Sequence, residues 1–437
     1  MKTTALFFNC IFLAILANGQ IIHVPDDYPT IQQGINAAID GDTVLVYPGT
    51  YSEHVNYNQK NITVASLFLI NPNPALISQT IIDGSNSGRG VTMWSNSIGS
   101  GFSTMICGFT IRNGKAGGGG GISAGGENQI IKGVIVKNNK ATFEGGGIDI
   151  GSGNVVIENA IIRQNIADAD TNEFADGGGI YIYSANVTII NTLIVDNDVS
   201  AWWASSGGGI FNLSGNLLLK NVTISSNDSG GGLCNAEGFV TIFNSIIWDN
   251  VGGSVNLPAL ITYSDIQGGW SGQGNINQTP VFSGGGNYSL SDCSPCIETG
   301  TLDTTGLNLP PYDLIMNLRV WDGDGDGIAR VDMGAYEFES IPVGETESNA
   351  QSSGLQVLFY PNPFSNSITI EYIIKVNTTV TLTLFNHLGH EVVVLINDQL
   401  CKGLYHLKWN AQDQPEGLYY CQLRTGDQIE TKKIIKL

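Results

Sequence analysis

A line of three glycines followed by an apolar residue recurs five times in this chain, at 119–122, 145–148, 177–180, 207–210 and 230–233. After each comes a second element of constant length: IIKGVIVKNN, VIENAIIRQN, TIINTLIVDN, LLKNVTISSN and TIFNSIIWDN. The closing asparagines fall at 139, 165, 197, 227 and 250, giving intervals of 26, 32, 30 and 23 residues. Constant cores separated by variable insertions describe a solenoid whose repeats stack and whose insertions leave as loops. Aligned by repeat, Ile111, Val136, Ile162, Ile194, Ile224 and Ile247 form one apolar column, and Ile131, Ile157, Ile189, Leu219 and Ile242 form another. Such columns suit parallel strands whose inner face is buried by the coils above and below. Two polar columns run beside them: Asn159, Asn191, Asn221 and Asn244, and then Asn139, Asn165, Asn197, Asn227 and Asn250. Asparagine tolerates the left-handed backbone of a sharp corner, and stacked amides bond along a ladder. Glycine serves the third corner. An antiparallel sandwich of Gly-rich hairpins does not explain columns in this register.

The N-terminus frames this solenoid. Lys2 and the apolar stretch from Ala5 to Ala17, ending at Ala17-Asn18-Gly19, read as a signal peptide over residues 1–19. PTIQQGINAAI at 29–39 predicts an amphipathic helix of about three turns, with Ile31, Ile35, Ala38 and Ile39 on one face, placed to cover the open end of the stack. DTVLVYPGTY then alternates as the first strand. The segment HVPDDYPTIQQGINAAIDGDTVLVYPGTYSEHV resembles the opening of pectin-lyase-like right-handed parallel β-helix proteins. SPCIETG at 294–300 and DMGAYEF at 332–338 resemble the ends of such domains in bacterial surface proteins. The resemblance implies an all-β fold: a right-handed parallel β-helix over 20–338 with an N-terminal capping helix.

Residues 339–354 are polar and aperiodic and read as a linker. Beyond them, 355–437 offers five alternating segments, which predict a small Ig-like β-sandwich. The motifs YPNPF (Tyr360, Pro361, Asn362, Pro363), EGLYY (with Gly417 and Tyr419) and KKIIKL (with Lys432 and Lys433) resemble the type A sorting domain of the type IX secretion system. That resemblance implies the type IX machinery as partner, passage across the outer membrane, cleavage near the linker, and attachment to surface lipopolysaccharide.

The net charge of −20 lies wholly before this module, because 355–437 holds seven Lys/Arg and seven Asp/Glu. Nucleic acid is excluded as a partner, since its phosphates would be repelled; cations, or polymers bridged by them, fit better. On the GGGI strand the outward column reads Ser123, Asp149, Tyr181, Phe211 and Cys234, with Tyr183 on the same face and Trp202 and Trp203 in a neighbouring insertion. Aromatic rings on an exposed parallel face suit stacking on sugar rings, so Tyr181, Tyr183, Phe211, Trp202 and Trp203 are the candidate ligand-binding residues. Glu144, Asp149, Asp168, Asp170, Glu173 and Asp176 cluster nearby, and of these Asp149, Glu173 and Asp176 are candidate catalytic carboxylates.

Asp322, Asp324, Asp326 and Gly327, with the carbonyl of Ile328, follow the first half of a calcium loop and Asp332 falls one residue short of its last ligand, so Ca²⁺ is the expected cofactor. The pattern departs from an EF-hand at the twelfth position, which is Met333. Cys293 and Cys296 suggest a local disulfide or buried thiols. No segment matches the active-site motifs of pectate lyases, rhamnogalacturonases or polygalacturonases, and a lyase base is missing from the repeats. Two readings stand: a surface module that binds polysaccharide or matrix, and a lyase or glycoside hydrolase acting on an acidic glycan.

Overall fold

The computed structural model describes residues 19–95, 103–169, 174–201, 204–256, 259–302, 307, 309–322, 328–338, 340, 356–360, 364, 366–374, 378–386, 389–400, 403–412, 414–415, 417–426 and 428–436. The signal-peptide reading of 1–19 therefore falls almost wholly outside them. The chain divides into two compact units, Met1–Glu345 and Thr346–Leu437.

The first unit is a parallel β-helix, in which each coil contributes a strand to each of three ladders. The first ladder joins Val91, Ile122, Ile148, Ile180, Ile210 and Leu233. The second joins Ile106, Ile131, Ile157, Ile189, Leu219, Ile242 and Ile261. The third joins Ile82, Ile111, Val136, Ile162, Ile194, Ile224, Ile247 and Ile266. All of these side chains are buried in one continuous core, so both apolar columns read from the sequence are real stacks.

The two asparagine columns do different work. Asn159, Asn191, Asn221 and Asn244 take φ of 54°, 47°, 51° and 48° at the corner between the second and third ladders. In the other column the left-handed residue is the one before, at Asn138, Gln164, Asp196, Ser226 and Asp249. The asparagines that follow are buried and form a side-chain ladder instead. Asn139 Nδ2 donates to Asn165 Oδ1 (2.9 Å), Asn165 to Asn197 (2.9 Å), Asn197 to Asn227 (3.0 Å) and Asn227 to Asn250 (2.9 Å). Each amide also donates to a main-chain carbonyl inside the coil, as Asn197 does to Ile162 (2.9 Å). At the third corner the first glycine of each run carries the positive φ, between 59° and 69°.

The N-terminal cap is smaller than its pattern suggests. The helix is Ile31–Ala37, and Ile39 is exposed, because the chain leaves helical geometry at Ala38. Ile31 and Ile35 still pack into the core against the strand Ile21–Val24, which precedes the helix and is the true first strand. Thr30 caps Gln33, the Glu53 carboxylate accepts the amides of Ile31 and Gln32, and Lys60 Nζ donates to the carbonyls of Ile35, Asn36 and Ala38.

The described residues of 282–338 lie along the corner between the second and third ladders. Asn191 Nδ2 donates to Tyr312 O (2.6 Å) and Asn221 Nδ2 to Asp332 O (3.1 Å), while Asn244 Oδ1 accepts the amide of Thr301 (2.9 Å). The corner asparagines thus hold a strap as well as a turn. At its centre Arg319 and Glu337, both buried, pair at 2.6 Å.

Among the described residues the second unit is an antiparallel sandwich of seven strands, where the sequence pattern suggests five. Gln356–Tyr360, Ser367–Ile374 and Gly403–Asn410 make one sheet. Thr378–Asn386, Glu391–Leu400, Gly417–Thr425 and Gln428–Lys436 make the other. Two of the segments read as single strands each turn back on themselves. Its core includes Phe364, Ile370, Leu382, Trp409, Cys421 and Ile434.

Candidate functional site

Strict alternation sends Ile148 and Ile150, and Ile180 and Ile182, inward, so the residues between them face out. The outward row of the first ladder runs Thr92, Ser123, Asp149, Tyr181, Phe211 and Cys234 in register. Two of its members are not where the sequence suggests. Tyr181 and Phe211 stack with centroids 5.6 Å apart and planes 3° from parallel, and they are only 7% and 8% exposed. The insertions bearing Glu144 and Asp176 lie close enough for both carboxylates to act on the Tyr181 hydroxyl. These rings are therefore packing residues and offer no open stacking face. Tyr183, two positions on, is 56% exposed.

Glu144, Asp149 and Asp176 all lie near enough to the Tyr181 hydroxyl to act on it. Glu144 and Asp176 meet in a parallel bridge, where Gly145 donates its amide to Asp176 O (3.0 Å). Asp149 accepts from Ser123 Oγ (3.4 Å), which in turn accepts from Trp94 Nε1 (3.0 Å). Arg89 lies beside Asp149, but its guanidinium is spent on carbonyls, Nη2 to Gly118 (2.7 Å) and Nε to Gly119 (3.1 Å). Burial, reinforced by Glu144, pushes the Asp149 carboxyl up to about 6 against the pull of Arg89 and Ser123. Burial likewise raises Asp176 to about 6, with the Ser206 amide opposing and Glu144 assisting.

Because both pKa values are raised, the folded chain holds these protons more tightly than the unfolded one. Their stabilisation is complete below the ordinary carboxylate range, about 3.9, and is lost as pH rises through the folded values. The melting temperature of wild type is expected to fall as pH rises from about 4 to about 6.5. Asp149→Asn with Asp176→Asn should flatten that interval, leaving a slope nearer neutrality from Asp332, which burial raises to about 7. Parallel melting profiles for wild type and variant would refute the assignment.

Beside this row lies a second. Trp94 is 38% exposed, and its six-membered ring lies over Gly125 and Gly151. A Cβ at Gly125 would stand 2.8 Å from Trp94 Cζ3, and one at Gly151 2.5 Å from Cη2, so only glycine leaves the indole this seat. Tyr183 is the next residue in the row, since Ile150 and Ser152 flank Gly151 and pair with Ile182 and Ser184. Trp94 and Arg89 are functional candidates that the repeat reading misses, because they precede the first glycine line. Aligning VTMW with ISAG, IDIG and IYIY would have placed Trp94 over two glycines and in line with Tyr183.

The remaining candidates scatter. Asp168 pairs with Lys140 at 2.6 Å. Asp170, Glu173, Trp202, Trp203, Asp324 and Asp326 lie outside the described residues. Asp332 is buried, with its oxygens taking the amides of Glu298 (2.7 Å) and Phe338 (2.6 Å), so it is tied into the strap and is a poor member of a calcium loop with Asp322 and Ile328. Among the described residues no group of three or more His, Cys, Asp or Glu is arranged to hold a metal. Cys293 is exposed and Cys296 buried, and they are not bonded to each other.

In the second unit Tyr419 is buried and donates its hydroxyl to Pro415 O (2.6 Å), Gly417 opens a strand at φ 141°, and Lys432 and Lys433 are exposed. Tyr360 ends the first strand of the sandwich, and Pro361, Asn362 and Pro363 lie outside the described residues.

Residues 89–259 match the family model of the right handed beta helix region, and residues 358–437 match that of the secretion system C-terminal sorting domain. No curated protein is a significant match to the chain.

Proposed function

We propose that this chain, a right-handed β-helix protein carried across the outer membrane to the cell surface or beyond by its type IX sorting domain, binds polysaccharide on the outer face of its first ladder. The supporting observation is the indole of Trp94 seated over Gly125 and Gly151 in line with the exposed Tyr183. Aromatic faces take up the apolar C–H faces of sugar rings, and neighbouring acceptors orient the hydroxyls. Here the acceptors are Ser123, Asp149, Glu144 and Asp176. Three carboxylates here face one guanidinium, Arg89, whose donors already serve carbonyls, and the remaining negative charge disfavours an acidic glycan.

Trp94→Ala is expected to weaken retention on polysaccharide at least tenfold, about 1.4 kcal/mol, while leaving the fold intact. Affinity electrophoresis of wild type and variant through gels containing glucan, xylan, mannan or polygalacturonate measures this. Equal mobility of the two proteins in every gel would refute it.

The bridge that brings Glu144 and Asp176 together near Asp149 supports hydrolysis as a second reading, since burial raises Asp149 and Asp176 towards the range a general acid needs. Reducing ends released by wild type but not by Asp149→Asn would favour it.

A further inference from the structure

Beyond Tyr183 the strand Ile180–Val195 turns the corner into the second ladder, and three residues on it presents Asn186. Asn154, Asn186 and Asn216 stand in register on three successive coils, and Phe239 takes the same place on the fourth. The three amides are exposed yet ordered into a chain: Asn216 Nδ2 donates to Asn186 Oδ1 (2.8 Å), and Asn186 Nδ2 to Asn154 Oδ1 (3.0 Å). A carboxamide has two N–H donors and two acceptor lone pairs, so each rung keeps both a donor and an acceptor for a ligand.

Cavities flank the ladder on both sides. One of about 370 Å³ lies towards Ser184 and Ser214, and one of about 450 Å³ towards Leu218 and Thr241. Among the described residues Glu127 is the one charged side chain lining either. Phe239 closes the row at 78% exposure, the most exposed large apolar side chain among the described residues.

We propose that the bound polysaccharide is an unbranched, uncharged chain that runs from the Trp94–Tyr183 seat over the corner and along the asparagine ladder to Phe239. This rests on the saccharide-binding reading above and extends it to a ligand class and a length. Trp94 and Phe239 lie five strand spacings apart, about 24 Å along the stack, so the ligand must be several sugars long. Hydroxyls on a linear polymer can give to and take from the rungs in turn. Among the described residues an anion finds no cation lining either cavity and meets Glu127. A peptide adding as a strand finds no free backbone edge, because these strands are paired on both sides.

The test uses the mature chain and neutral oligosaccharides of two to eight residues prepared from glucan, xylan and mannan, with oligogalacturonates alongside, in titration calorimetry. Affinity of wild type is expected to rise with length. Phe239→Ala should lose at least tenfold on the eight-residue chain that wild type prefers and be unchanged on the shortest one bound. Trp94→Ala should weaken every length. A Phe239→Ala variant that binds the long chain as wild type does, while Trp94→Ala fails, overturns the extended track and leaves the saccharide seat standing. Oligogalacturonates binding as tightly as the neutral series overturn the uncharged assignment. No binding of any oligosaccharide by wild type overturns the seat and the track together.

Discussion

Asn197→Ala is expected to destabilise the β-helix by about 3–5 kcal/mol, far beyond an ordinary polar substitution. Its Oδ1 accepts both the main-chain amide (3.1 Å) and the side-chain amide (2.9 Å) of Asn165, and its Nδ2 serves Ile162 O and Asn227 Oδ1. All of these groups are buried. Truncation to alanine leaves them without partners where water does not reach, and each stranded group costs about 1–3 kcal/mol. Asn186→Ala is the matched control, since it removes the same amide-to-amide contacts from an exposed ladder. It should cost under about 1 kcal/mol, because water replaces what is lost. Urea denaturation of the two variants gives the comparison, and equal midpoints would mean that the inner ladder is not what ties the coils together.

Arg319→Met is expected to loosen the strap by about 3–5 kcal/mol. The side chains of Arg319 and Glu337 are each 1% exposed. Arg319 also donates to Asn191 Oδ1 (2.6 Å) and to the carbonyls of Ala335 (3.0 Å) and Gly334 (3.3 Å). Burial already pushes the Glu337 carboxyl well above its ordinary range against the attraction of Arg319. Without the guanidinium that carboxyl must keep its proton to stay inside. The deficit of the variant should therefore be small in acid and grow as pH rises past the ordinary carboxylate range. Hydrogen exchange at about pH 5 and pH 8 should show 313–338 opening at the higher pH, with the coils far from Asn191 still protected. Adding Glu337→Gln should restore most of the loss at pH 8. A variant equally stable at both pH values would show that the pair is not the strap's anchor.

The coils were legible because one requirement acts on every repeat. A stacked strand buried on its inner face admits only apolar residues there, so Ile162 and Ile189 each belong to a column that the alignment reveals. The corner asparagines were legible for the same reason. What insertions do was not legible, because they share no period. The exposure expected of Tyr181 and Phe211 failed because the two rings stack on each other and are buried, with the carboxylates of Glu144 and Asp176 near the Tyr181 hydroxyl. The strap was equally hidden: Arg319 meets Asn191 through pairing that no repeat announces. Trp94 lay between these cases. Its column is regular, but its strand precedes the glycine lines that draw attention to the pattern.

The inner amide ladder joins residues 26, 32, 30 and 23 positions apart. A coil can therefore close as soon as roughly one further turn of chain is available to it, from either end, and each closed coil is a template for the next. The strap obeys a different schedule. Its bonds to Asn191, Asn221 and Thr223 span 121, 111 and 112 positions, so they form once the coils they fasten exist. Folding of the first unit is then expected to proceed by local winding followed by a single late seal. Until that seal forms, the newest turn and the bare corner are the parts open to proteolysis.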